Sequence, residues 1–356
     1  MIRARIAKRF PAGRESAEFS LEVEFQAADC VTVLFGPSGA GKTLILDSIA
    51  GFVKPDAGRI LLDDEILFDA AAQVCLRPQE RHCGYVFQNY ALFPHMTLRE
   101  NLAFAAERRP RLERHRRVNE MIERFRLGGV AGRRPHEVSG GEKQRCSIAR
   151  ALIGAPKVLL LDEPARGLDA PLRAELYAVL RQVRAEFHLP VLLVTHDLEE
   201  CFEVGDTMQV LRQGRLVQSG APKHVVAQPV NIDVARLLGL ANLFPAAIAA
   251  LDPGRNTSRL KLDQFELSGS YYPGHLLGDR IWLHVPPQEL RVMAADGRPG
   301  PNQVAARLER IAERPSAVRL EFSGDITVEV PRSEYEKQKD NRDWLVEFPP
   351  ESIRVL

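Results

Sequence analysis

The segment Gly36-Pro37-Ser38-Gly39-Ala40-Gly41-Lys42-Thr43 follows an apolar run and opens a helical pattern, a spacing suited to gripping a chain of phosphates. Glycines let successive backbone N–H groups close around phosphate oxygens, and a helix starting near Lys42 adds positive potential at its N-terminus. In such a loop Lys42 reaches the β- and γ-phosphates and Thr43 ligates Mg²⁺. A glycine-rich turn without nucleotide is the plainer alternative, so the pattern needs support from elsewhere in the chain.

Two further segments could supply it. Val158-Leu159-Leu160-Leu161-Asp162-Glu163 is an apolar run ending in two carboxylates, at the strand end where open α/β sheets gather their ligands. Asp162 suits Mg²⁺, held through water. Glu163 suits orienting or deprotonating a water, because γ-phosphoryl transfer needs a positioned nucleophile and charge neutralisation more than covalent help. The same pair could simply cap the next helix, and Pro164 fits a helix start, so this run leaves both readings open. Ser139-Gly140-Gly141-Glu142-Lys143-Gln144-Arg145, with Ile148, Ala149 and Leu152 along one face, reads as a second phosphate-binding helix terminus. The chain already has one complete phosphate loop.

These residues need an α/β frame. From Cys30 to Thr195 short apolar runs end at Gly-, Ser- or Asp-rich loops and give way to helical patterns. Buried strands are expected at Val31 to Phe35, His82 to Phe87, Val158 to Leu161 and Val191 to Thr195. Leu172, Leu176, Val179, Leu180, Val183 and Phe187 mark an amphipathic helix between two of them. Residues 96–137 interrupt the alternation with helical character and an arginine-dense stretch, Arg108 to Arg117, most simply a solvated face. After residue 240 the pattern turns to β alternation, with a hairpin expected where Val318, Leu320 and Phe322 meet Ile326, Val328 and Val330 across Ser323-Gly324-Asp325. Trp282-Leu283 followed by Pro286-Pro287-Gln288-Glu289-Leu290-Arg291-Val292 recurs as Trp344-Leu345 followed by Pro349-Pro350-Glu351-Ser352-Ile353-Arg354-Val355, implying two related β-rich modules.

With 356 residues, two domains are expected: 1–240, containing a helical insertion over about 89–137, and 241–356, built from modules near 242–295 and 302–356. A formal charge of +1 gives no electrostatic reason for a nucleic-acid partner. The five cysteines are scattered without a CxxC pair, which suggests neither a disulfide framework nor a zinc site and fits a reducing cytoplasm. No apolar run has signal-peptide or membrane-spanning length.

The Ser139 to Arg145 segment resembles the LSGGQ or LSGGE signature of ABC transporter ATP-binding subunits, with Val138 in place of the leading Leu. The resemblance runs in order through the first 240 residues. It implies a P-loop NTPase domain of the ABC ATPase type with an inserted helical subdomain, followed by a smaller all-β, OB-like (TOBE/Mop-like) domain. Its cofactors would be ATP and Mg²⁺. By the same resemblance Ser139, Gly140, Gly141 and Glu142 act on the ATP of a partner subunit in a homodimer. Gln88 is the Q-loop glutamine, catalytic and a Mg²⁺ contact beside Thr43 and Asp162; Glu163 and His196 complete the catalytic set, and Asp169 is the D-loop aspartate. The family more commonly has Ser-Ala-Leu-Asp where this chain has Arg166-Gly167-Leu168-Asp169. Phe10 is a candidate for stacking on adenine, with Phe19 competing and core packing open to both.

The β-rich tail is similar to that of bacterial solute-import ATPases, and several stretches look closest to the molybdate-type group: Phe35, Ala40, Gly84 to Gln88, Leu92 to His95 and Ser139 to Arg145. Gln88 to Phe93 also resembles sulfate importers, and Asn302 is a faint match to the oxyanion-binding module. The resemblance therefore implies an ATPase powering molybdate or tungstate import, with sulfate, ferric iron and polyamine importers as alternatives. It would sit at the cytoplasmic face of the membrane as a peripheral subunit, on two integral-membrane permease subunits served by an external solute-binding protein. A soluble ABC ATPase acting on nucleic acid or the ribosome is the remote alternative, disfavoured by balanced charge and few tail aromatics.

Overall fold

A computed structural model describes the chain except residues 13–16, 108–109, 264, 296–298, 315–316, 338 and 340–343. It divides into two compact units, Met1–Gln228 and Pro229–Leu356.

The first unit runs β1 (Ile2–Phe10), β2 (Phe19–Ala27), β3 (Val31–Phe35), α1 (Lys42–Ala50), β4 (Ala57–Leu62), β5 (Glu65–Asp69), β6 (Val74–Cys75), β7 (Cys83–Val86), α2 (Leu98–Ala105) and α3 (Arg111–Arg124). It continues through α4 (Gly140–Ile153), β8 (Val158–Asp162), α5 (Ala170–Phe187), β9 (Val191–Thr195), α6 (Leu198–Val204), β10 (Thr207–Arg212), β11 (Arg215–Gly220) and α7 (Pro222–Ala227). All eleven strands join one sheet in the order β6-β5-β4-β1-β2-β11-β10-β3-β9-β8-β7. Strands β10, β3, β9, β8 and β7 are mutually parallel. Every residue of β3, β8 and β9 is buried, the condition of parallel strands covered on both faces, and this explains their unbroken apolar runs. The strand expected from His82 to Phe87 is shorter, Cys83–Val86: His82 sits at φ 50°, in the left-handed region, and cannot begin a ladder.

Helix α1 is held at both ends. Gly41 precedes it at φ 99°, and a Cβ there would come within 2.9 Å of Leu21 and 3.1 Å of Phe19. At the other end the fully buried Arg81 donates to the carbonyls of Ser48 (2.8 Å) and Ile49 (3.0 Å), and through Nε to Leu76 (2.9 Å). A cation on the free carbonyls of a helix C-terminus both satisfies them and favours the helix dipole.

The insertion carries α2 and α3. Thr97 and Glu100 form a capping box at the start of α2. Arg108 and Arg109 lie outside the described residues; on α3, Arg116 and Arg117 pair with Glu120 at 3.5 and 3.7 Å. Helix α4 buries Ile148, Ala149 and Leu152 completely, the face its spacing foretold. No helix among the described residues is long and apolar enough to cross a membrane.

The second unit contains α8 (Ile232–Leu237), β12 (Leu243–Asp252), β13 (Thr257–Lys261), β14 (Glu266–Ser270), β15 (Arg280–His284), β16 (Arg291–Ala294), β17 (Gln303–Ala306), β18 (Leu308–Glu313), β19 (Ala317–Phe322), β20 (Ile326–Pro331), α9 (Arg332–Tyr335), β21 (Trp344–Glu347) and β22 (Arg354–Val355). The sheets are β14-β13-β12-β15-β22, β16-β21-β17 and β18-β19-β20, around one shared core. The expected hairpin is present, with Phe322 paired to Ile326.

The two tryptophans are not equivalent positions of the repeat. Aligning the Pro pairs matches buried Ile281 with buried Trp344, Leu283 with Val346 and Val285 with Phe348, whereas Trp282 is only half-buried under the Arg236 guanidinium at 4.7 Å. A one-residue slip in a strand moves a side chain to the opposite face, which is why matching by tryptophan misleads. Reciprocal asparagines stitch the modules together. Asn242, at φ 57°, bonds Val285 O (3.0 Å) and both backbone groups of Thr327 (2.7 Å each); Asn302, at φ 59°, does the same with Phe348 O (2.8 Å) and Ser268 (2.6 and 2.7 Å). Asn302 therefore has its amide engaged by backbone, and its faint match to an oxyanion ligand gives way to a packing role.

Replacing Arg81 with Met should strand the carbonyls at the end of α1 and lower the unfolding free energy by about 2–4 kcal/mol. A urea midpoint equal to that of the parent chain would show that these carbonyls find other partners.

Candidate functional site

Parallel register assembles the site. Phe35 pairs with Thr195, Asp162 with Val194 and Val86 with Leu161, so the segments leaving β3, β9, β8 and β7 emerge side by side at one sheet edge. Those segments carry Gly36 to Thr43, His196, Glu163 and Gln88.

Within the loop, Lys42 is buried and its Nζ donates to the carbonyls of Gly36 (2.8 Å) and Pro37 (2.9 Å). Burial pulls its pKa below the usual ammonium value, opposed by the charges of Glu163 and Asp162. Thr43 Oγ1 donates to Asp162 Oδ1 at 3.0 Å. Burial pushes the Asp162 carboxyl above its ordinary range, against the pull of the Thr43 hydrogen bond. Two hard oxygen donors meeting at one point beside a phosphate loop fit a Mg²⁺ ion.

Glu163 is the most constrained residue of the group. Its φ of 45° puts a non-glycine residue in the left-handed region, a cost of roughly 1–3 kcal/mol that surrounding contacts must offset. Its N–H donates to Val194 O at 3.0 Å. Its carboxylate, 13% exposed, accepts from Gln88 Nε2 at 3.1 Å and Arg166 Nη1 at 3.0 Å on Oε2, and His196 Nδ1 stands 3.4 Å from Oε1. Of the sequence-chosen residues, Gln88 and His196 thus meet at Glu163, and Asp162 bonds the loop through Thr43.

Six others, Ser139 to Glu142, Asp169 and Phe10, make none of these contacts among the described residues. Ser139 caps α4: its hydroxyl accepts from Glu142 N at 3.3 Å and donates to Glu142 Oε2 at 2.9 Å, while Ser139 N donates to the same carboxylate at 2.8 Å. These bonds hold the Glu142 carboxyl below its usual range. Gly141 is fixed by packing, since a Cβ there would stand 2.8 Å from Leu172. Among the described residues Ser139 to Glu142 share no hydrogen bond with the loop or with Glu163. Asp169 caps α5 through Leu172 N at 3.0 Å. Phe10 is 40% exposed and lies directly across the β1–β2 ladder from Phe19, which is partly buried against Gly41 and the core. Phe10 is the more exposed of the two, and the Lys8 ammonium lies 5.7 Å from its ring centre.

Sequence reasoning missed Glu200. It is 1% exposed, its Oε1 has no hydrogen-bond partner, and it lines a cavity of about 170 Å³ with Glu163, Arg166, Arg173, Thr195 and His196. Burial pushes its carboxyl up to about 7. The available signal was its spacing: Glu200 stands four residues before Val204, on the inner face of α6.

Together the fold and site define a phosphate-loop nucleotide hydrolase. The family model for ABC transporters matches residues 20–166. Molybdenum import ATP-binding protein ModC of Rhodospirillum rubrum is 39% identical over 67% of this chain and 65% of its own length. Spermidine/putrescine import ATP-binding protein PotA of Marinobacter nauticus is 34% identical over 94% of this chain and 92% of its own length. The Fe(3+) ions import ATP-binding protein FbpC of Photorhabdus laumondii is 41% identical over 68% of each. Among solved structures, the dimeric post-hydrolysis ATP-binding cassette MJ0796 bound to ADP and Pi has a TM-score of 0.54 at 26% identity, covering 62% of this chain and 99% of that one. The chain belongs to the ATP-binding subunits of ABC transporters, a family of ATPases, and resembles its import members. Its second, β-rich unit is OB-like.

An acid whose pKa is higher folded than unfolded loses stability as pH rises. For Glu200 the loss accrues between about 4.5 and about 7 and amounts to roughly 3 kcal/mol above that window. Glu200→Gln should therefore raise Tm by several degrees at pH 8 and leave it near the parent value at pH 4.5. Equal gains at the two pH values would rule out a buried, titrating Glu200.

Proposed function

We propose that this chain hydrolyses Mg-ATP to power solute import, with molybdate as the solute. The observation that carries the hydrolytic part is the convergence of Lys42, Thr43, Asp162, Glu163, Gln88 and His196 at one edge of the parallel sheet.

In this reading backbone N–H groups of Ser38 to Gly41 wrap the phosphates, and Lys42 exchanges its loop carbonyls for β- and γ-phosphate oxygens. Thr43, Asp162 and Gln88 would hold Mg²⁺, which when bound neutralises phosphate charge. Glu163 accepts the proton, or the hydrogen bond, of the attacking water, and His196 contacts the γ-phosphate. Phe10 stacks on adenine. Ser139 to Glu142 serve the ATP of a second copy: their hydrogen bonds stay within their own helix terminus, which supports an action outside this chain's loop. Asp169 belongs to the same cross-subunit surface. The dimeric state of the related cassette also supports a homodimer.

The helical insertion of about 89–137 would pass closure of that dimer to two membrane permease subunits at the cytoplasmic face, fed by an external solute-binding protein. For the solute, the molybdate-like stretches from Phe35 to Arg145 and the likeness to ModC favour an oxyanion. A polyamine is the second reading, favoured because the PotA alignment extends through the tail. The tail, about 241–356, would bind a regulatory oxyanion or stabilise the dimer.

Glu163→Gln should leave ATP binding intact, reduce hydrolysis by a factor of 100 or more, and accumulate an ATP-bound dimer, an outcome read by gel filtration with ATP, on the order expected for loss of a general base. Lys42→Ala should instead weaken ATP binding itself. Turnover by Glu163→Gln near the parental rate would remove its assigned role. For the tail, calorimetry on the full chain should give heat with molybdate and tungstate but not spermidine, and silence for all three would remove the regulatory-oxyanion reading. Heat with spermidine alone would transfer that reading to a polyamine.

A further inference from the structure

We propose that Arg166 is a latch on Glu163, a positioning residue that holds the water-activating carboxylate back and slows basal ATP hydrolysis. The inference rests on the role given to Glu163 above and concerns a residue that role does not need.

The geometry is local and specific. The N–H of Arg166 donates to the Glu163 carbonyl at 3.2 Å, closing a tight turn after β8, and across this turn the guanidinium folds back onto Oε2 at 3.0 Å. Oε2 also accepts from Gln88, and Oε1 faces His196 at 3.4 Å. A carboxylate oxygen offers about two lone-pair directions. Both on Oε2 are taken by protein donors, one of them cationic, so only Oε1 retains capacity for a water, and His196 already stands there. The backbone gives no relief, since Glu163 is pinned at φ 45° by its bond to Val194 O. What can move is Arg166, whose side chain is 60% exposed while that of Glu163 is 13% exposed.

Charge acts in the same direction as geometry. A guanidinium bonded to the carboxylate is a charge-assisted contact that a water must displace to reach Oε2. Arg173, from the first turns of α5, lines the same cavity but is committed to Asp197 at 3.2 Å, so Arg166 is the cation paired with Glu163. The family more commonly has a serine where Arg166 stands, and a serine side chain lacks both the charge and the reach. An ion pair with one exposed partner is worth up to about 1 kcal/mol, which sets the expected effect at up to about fivefold in rate.

The test is steady-state Mg-ATP hydrolysis by the full chain and its Arg166→Ser, Arg166→Lys and Glu163→Gln variants, at low and high salt. Arg166→Ser should raise kcat two- to fivefold with KM for ATP within twofold, and Arg166→Lys should fall between, keeping a charge without the planar fork. The ratio of Arg166→Ser to parent should shrink at 0.5 M salt, roughly as screening loosens an exposed pair. Arg166→Ser should give no gain in a Glu163→Gln background. An unchanged or lower kcat for Arg166→Ser, with Glu163→Gln inactive, overturns the latch alone. An active Glu163→Gln variant overturns the role of Glu163 beneath it.

Discussion

The site depends on the register of four parallel strands. Phe35 beside Thr195, Asp162 beside Val194 and Val86 beside Leu161 fix where four chain segments leave the sheet, and those segments carry the loop with Lys42 and Thr43, His196, Glu163 and Gln88. Because the side-chain period in a strand is two, a shift of one residue in any pair would turn Asp162 or Thr195 to the other face. The unbroken burial of β3, β8 and β9 on both faces resists such slips, so the core that stabilises the sheet also aligns the site.

Burial then tunes the groups that the register assembles. Lys42, Asp162 and Glu200 all lose water, and each is moved toward its neutral form. Lys42 and Asp162 recover through mutual charges and hydrogen bonds, whereas Glu200 keeps an unpartnered oxygen behind Glu163. The left-handed backbone at Glu163 adds strain at the same point. Backbone strain, a buried neighbouring carboxyl and the Arg166 ion pair thus meet at one carboxylate.

The second unit solves a different problem. Short strands that cannot bury both faces alone share one core, and Asn242 and Asn302 each satisfy backbone groups in their own module and in the other. Such reciprocal bonds commit the two modules to a single arrangement, since parting them would leave buried amide and backbone groups unpaired.

Much of this was legible in the chain itself. The loop Gly36 to Thr43, the apolar run ending at Asp162 and Glu163, the amphipathic spacing of α5 and the hairpin at Ser323 to Asp325 are local patterns, set by backbone sterics and by the periods of helix and strand. The resemblance to ABC transporter subunits likewise rests on contiguous motifs. Tertiary structure decided what depends on distance. The burial of Arg81 against carbonyls 32 and 33 residues away and the cavity behind Glu163 with Glu200 in it arise from packing that no local period encodes. The offset between the tail repeats was equally hidden, because a one-residue gap leaves the letters similar while reversing the faces. Sequence determined which chemical groups the chain carries and on which elements; the desolvation and convergence that give them altered affinities for protons existed only once the sheet had closed around them.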